Sequence, residues 1–67
     1  MNTMIAKWKL YKTAVFCVTK LDIMAGEVVA VAFSFVDRQG QPVWDVTTQD
    51  GRVEYSVPHS YLTGFVL

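Results

Sequence analysis

Cysteine occurs once, at Cys17, which excludes an internal disulfide. Histidine also occurs once, at His59, so no cluster of imidazoles and thiolates is available for a tetrahedral zinc site. No metal and no other cofactor is expected. Charged residues make up only 18% of the chain against 52% apolar ones, far from the composition of a disordered segment. A membrane-length apolar run is missing too. The stretch from Val28 to Val36 falls far short of the roughly 20 residues that cross a bilayer as a helix. In MNTMIAKWKLYK, Lys7, Lys9 and Lys12 interrupt any signal-peptide core. These absences imply a reduced, cytoplasmic setting without membrane contact. No segment shows the length and capping of a helix, and there is no internal repeat or linker.

What is present is a single small domain over residues 1–67, with residues 1–8 read as a loosely attached N-terminal segment. A chain of this size buries only about 60% of the surface it exposes when unfolded, so its core is thin. With disulfides and zinc excluded, oligomerisation is the staple left for such a core. Charge is balanced but unevenly spread. Residues 1–20 carry Lys7, Lys9, Lys12 and Lys20 and no acid, giving +4, while residues 21–67 carry two arginines against six acids, giving −4. A basic leading segment suits phosphates or an acidic partner, and equally a solvated strand whose lysines discourage edge pairing.

The clearest local signal is Asp50-Gly51, a dipeptide suited to the positive backbone angles of a two-residue type I′ hairpin turn. Such a turn sets Thr48 opposite Val53, Thr47 opposite Glu54, Val46 opposite Tyr55, Asp45 opposite Ser56 and Trp44 opposite Val57. Alternation then predicts an apolar face of Trp44, Val46, Val53, Tyr55 and Val57, and a polar face that brings Asp45 and Glu54 close together.

Upstream, VVAVAFSFV from Val28 to Val36 is rich in β-branched and aromatic residues and reads as a strand. Its bulky face is Val29, Val31, Phe33 and Phe35. Its other face, Val28, Ala30, Ala32 and Ser34, is small and still largely apolar. Antiparallel strands normally turn one side to water, so this second face is the candidate self-association surface. A first strand is expected within Leu10 to Thr19, with Ala14, Phe16 and Val18 on one side. Near the C-terminus, Pro58 cannot donate to a ladder and ends a strand, and His59, Ser60 and Tyr61 suffice for one 3₁₀ turn before the chain resumes.

A strand, one such turn and a short closing strand resemble the end of a Src-homology-3 barrel. LDIMAGEVVAVAF resembles that family's diverging turn and second strand, VWDVTTQDG its tryptophan strand and distal hairpin, and VPHSYL its proline-any-any-tyrosine turn. Over about residues 21–67, the resemblance implies an all-β, five-stranded Src-homology-3-like barrel. In its peptide-binding members, an aromatic groove receives proline-rich segments. Pro58 and Tyr61 match that groove and are the candidate partner contacts. The family's groove tryptophan matches Val43 here, and no tyrosine pair opens the first strand, so recognition of proline motifs is not expected.

The remaining candidates have plain structural readings: Trp44 in the core, His59 on a solvated turn, and Cys17 inert and buried. Asp45 and Glu54 lack an apolar pocket that would shift a pKa, so no catalytic residue is assigned. Type II dihydrofolate reductases are small barrels of related architecture whose tetramer encloses an active site. Val53-Glu54-Tyr55-Ser56 is similar to their valine-glutamine-isoleucine-tyrosine motif at the valine only. The expected protein is thus a non-enzymatic interaction or assembly module, self-associating as a dimer or tetramer, of the kind carried by phages or mobile elements. The alternatives are a nucleic-acid-associated barrel using the basic first strand, and a reductase-like symmetric enzyme.

Overall fold

The structure, a computed structural model, describes residues 3–67. In chain order its elements are α1 (Thr3–Trp8), β1 (Thr13–Phe16), β2 (Val28–Val36), β3 (Pro42–Thr47), β4 (Val53–Pro58), a 3₁₀ turn (His59–Tyr61) and β5 (Leu62–Val66). The strands form one antiparallel sheet in the order β4-β3-β2-β1-β5. Both the five strands and the 3₁₀ turn at His59–Tyr61 agree with the expectation from sequence. The expected barrel does not form, because β4 and β5 remain the two edges of an open sheet. The sheet is nonetheless strongly curled. Three strand-to-strand steps separate β3 from β5, about 14 Å in a flat sheet, yet the rings of Trp44 and Phe65 on those strands lie 4.8 Å apart.

Three bulges allow the curl, since an extra residue in one strand bends it and increases its twist. Register shifts between Phe33 and Phe35 on β2, opposite Ala14 on β5, and opposite Asp45 on β4. Each bulge also reverses the side-chain alternation. On β2 the inward series Val29, Val31, Phe33 passes to Val36, and Phe35, expected in the core, is 47% exposed. On β5 the extra residue falls at Gly64, whose φ of 60° glycine adopts without the cost a side chain brings.

The β3–β4 hairpin corrects the expected turn. Three residues, Gln49, Asp50 and Gly51, form its loop: the Thr48 N–H donates to the Arg52 carbonyl at 2.8 Å and the Gly51 N–H to the Thr48 carbonyl at 3.0 Å. With Gly51 at φ 89°, this is a type I turn followed by a glycine bulge rather than a two-residue type I′ turn. The Thr48 hydroxyl stabilises it, donating to the Asp50 carboxylate and accepting the Arg52 N–H at 3.1 Å. That bond from Thr48 is the main cause holding the Asp50 carboxyl below its ordinary range.

The extra loop residue slides the strands by one. Thr47 pairs with Val53 and Val46 with Glu54, until the β4 bulge restores the expected pairing of Trp44 with Val57. Val53 and Tyr55 therefore face outward, Tyr55 being 74% exposed, instead of sharing the core with Trp44 and Val46. Gly51→Val should destabilise the fold by at least about 1 kcal/mol, since a β-branched residue resists positive φ. No atom lies within 4 Å of the added Cβ, so the Cβ itself meets no clash and the loss comes from the backbone at φ 89°. Denaturant melts of the two proteins check it, and an unchanged midpoint would refute this turn.

The inner face holds the core: Ala14, Phe16, Val29, Val31, Trp44, Val46, Val57 and Leu62, joined by Trp8 and Ile23 from outside the strands. Helix α1 is a correction to the sequence reading, which has no helix. Six residues are too few for a visible period or for stability in isolation. Packing supplies what propensity does not: the Trp8 ring stacks on Phe33 at 5.8 Å. The first strand is shorter than its expected Leu10 to Thr19 window; Ala14 and Phe16 share one side, as expected, and that side is the inner one.

Candidate functional site

The candidate self-association residues Val28, Ala30, Ala32 and Ser34 all lie exposed on the outer side of β2, the middle strand of the sheet. Cross-strand pairing extends this strip in both directions. Val53, Thr47, Ala30, Thr13 and Val66 stand opposite one another in a row across all five strands, and Val28, Val15 and Thr63 form a second row. Neither row contains a charge. Exposed Val53 and Val66 border the small residues in the middle. Sequence reasoning identified the β2 residues but missed their neighbours, because the slid hairpin, not the alternation, brings Val53 to this side.

The candidate partner residues are split. Pro58 is exposed and lines a cleft of about 360 Å³ together with Asp37, Gln39, Gln41, His59 and Ser60. Tyr61 is half-buried and turns away, meeting Phe16 edge-on at 6.2 Å. On the cleft wall, Asp37 organises the β2–β3 loop: its Oδ1 accepts the N–H groups of Gln39 at 2.8 Å and Gln41 at 3.0 Å.

His59 is not the solvated residue that its place beside a proline suggests. Its Nδ1 accepts a hydrogen bond from Trp44 Nε1 at 3.1 Å, and its ring stacks on Phe65 at 5.1 Å. Burial pushes the imidazole below its ordinary pKa. Trp44 itself is fully buried, as expected, among Phe33, Phe65, Tyr11 and His59. No local signal marks the link to His59, which joins residues 15 positions apart.

The supposed carboxylate pair does not exist. The slid register places Glu54 opposite inward-facing Val46, where it pairs with Arg52 at 2.9 Å. Asp45 instead accepts the N–H of Ser56, the bulge residue at φ 57°. Cys17 is exposed rather than buried, its thiol donating to the Ser60 carbonyl at 3.3 Å.

Arg52 has a further structural task that the sequence does not reveal. Lys20 and Ile23 exchange backbone hydrogen bonds around Leu21 and Asp22, both at φ 59°, so the type I′ turn of this protein lies here. The Arg52 guanidinium donates to both turn carbonyls, Leu21 at 2.8 Å and Asp22 at 3.2 Å.

Among the described residues no cluster of histidine, cysteine and carboxylate side chains could hold a metal ion, and no helix is long and apolar enough to cross a membrane. Comparison of the chain with protein families, with curated proteins and with solved structures finds no match.

Proposed function

We propose that this chain is a non-enzymatic assembly module that self-associates through the outer face of its sheet. The observation that carries the reading is the uncharged row Val53, Thr47, Ala30, Thr13 and Val66, which crosses the whole sheet. The row is apolar apart from Thr47 and Thr13, with Asp45 beside it opposite Ala32, and exposed apolar strips of this kind mark interaction sites. Small side chains in its middle allow close approach of a second copy.

The sheet edges favour contact by faces over strand addition. Edge strand β4 carries the Ser56 bulge and ends at Pro58, and edge strand β5 carries the Gly64 bulge, so neither presents an unbroken ladder. The 3₁₀ turn ahead of a short final strand supports an architecture akin to Src-homology-3 domains, here with an open sheet and without their peptide groove.

Light scattering coupled to size exclusion at micromolar concentration should report a dimer or tetramer. Ala30→Glu should return it to monomer with an unchanged circular dichroism spectrum, because the new carboxylate is solvated in the monomer and stranded in the interface. A parent protein that stays monomeric at high concentration would overturn the proposal.

A further inference from the structure

We infer that His59 is a proton-operated latch: neutral, it closes over Trp44, and protonated, it turns into the adjoining cleft toward Asp37. The closed state follows from the bond to Trp44. An indole N–H only donates, so Nδ1 must be unprotonated to accept from it at 3.1 Å, and the neutral ring carries its proton on Nε2. The ring is held there by stacking on Phe65 at 5.1 Å and on Trp44 at 6.2 Å. An imidazolium has donors at both nitrogens, and two N–H groups would then confront each other at that distance. Protonation and the closed latch therefore exclude one another.

The cleft supplies the second position. His59 is part of its wall, and its volume of about 360 Å³ leaves room for the ring to turn. Asp37 lines the same cleft; its Oδ1 is occupied by the Gln39 and Gln41 N–H groups, while Oδ2 has no partner among the described residues. A carboxylate in that place holds an imidazolium, with its charge and two donors, much more strongly than the neutral ring bonded to Trp44.

The other ionisable groups around His59 do not compete for this role. Arg38 follows Asp37 in the same loop and is exposed, and Tyr11 packs on Trp44 and Phe65. Within the turn, Tyr61 faces Phe16, and the Cys17 thiol is bonded to the Ser60 carbonyl. Trp44 and Phe65, contributed by β3 and β5, carry no charge.

The pH direction follows from burial. In the unfolded chain the imidazole has the ordinary value of 6.5, and in the folded chain a lower one. The unfolded state thus takes up the proton first. Stability contributed by the closed latch is complete above pH 6.5 and is lost as pH falls through the folded value. Opening would uncover the edge of Trp44 and Phe65 beside the cleft, an aromatic edge that His59 covers at neutral pH. This device does not rest on self-association, since it lies on the inner side of the sheet.

A nuclear magnetic resonance titration of the whole chain from about pH 8 to about pH 4 tests the latch. The Trp44 indole N–H is followed beside the His59 ring nitrogens, with Trp8→Phe separating the two tryptophan signals. At high pH, His59 should be the Nε2–H tautomer. Through its titration the Trp44 indole signal should shift with the same midpoint, and its exchange with solvent should quicken by about tenfold or more while backbone signals stay folded. Asp37→Asn should move the shared midpoint to lower pH. A Trp44 signal indifferent to His59 protonation, a midpoint unaffected by Asp37→Asn, or loss of the indole signal only with global unfolding would each overturn the inference.

Discussion

Trp44→Ala should lower the stability of the fold by about 3 to 5 kcal/mol, the range for truncating a buried tryptophan. At about 0.05–0.15 kcal/mol per residue a chain of this length holds only about 3–10 kcal/mol in all, so the variant is expected to be largely unfolded at room temperature. The size of the effect comes from where the ring lies. Trp44 has no exposed surface and touches Phe33 from β2, Phe65 from β5, His59 from the 3₁₀ turn and Tyr11 ahead of β1. Its removal leaves a cavity between elements that no other residue joins so directly, and strips His59 Nδ1 of its donor. Urea denaturation followed by circular dichroism measures the loss. A variant as stable as its parent would place the ring outside the core.

Ile23→Ala should cost about 2 to 5 kcal/mol, although its neighbours in sequence, Asp22 and Met24, are both exposed. Ile23 has no exposed surface and enters the core from a loop. Its burial also anchors a turn that works against its own residues. Leu21 at φ 59° is held in a left-handed conformation that costs a side-chain-bearing residue about 1–2 kcal/mol. Ile23 on one side and the Arg52 guanidinium on the other offset that strain. Truncating Ile23 should therefore loosen the whole turn, seen as faster amide exchange at Ile23 together with the lowered denaturation midpoint. A loss below about 1 kcal/mol would mean that the core closes without this residue.

The two variants mark how differently the core residues could be read beforehand. Trp44 shares an alternating pattern with Val46 in a segment ending at a turn dipeptide, and its burial is legible from that pattern alone. Ile23 stands in no pattern. It follows a charged residue, precedes a methionine and belongs to no strand, and its place depends on a turn clamped by an arginine about 30 positions away. The candidate site divides in the same way. The outer side of β2 follows from alternation within one strand, whereas the contact of His59 with Trp44 requires the 3₁₀ turn to fold back on β3.

By itself the sequence determined the elements whose chemistry is local: strand β2 from its β-branched and aromatic run, the stop of β4 at Pro58, the 3₁₀ turn after it, and the inward positions of Val29, Val31, Trp44, Val46 and Val57. Tertiary structure decided the bulges, the outward turn of Phe35, Val53 and Tyr55, the burial of Ile23 and the openness of the sheet. The physical reason is the two-residue period of a strand. One inserted residue exchanges its faces, whether in the hairpin loop, where Gln49 to Gly51 slide β4 against β3, or in a strand bulge. The bulges bend the sheet so that Trp44 and Phe65 meet across distant strands, a contact that no short stretch encodes.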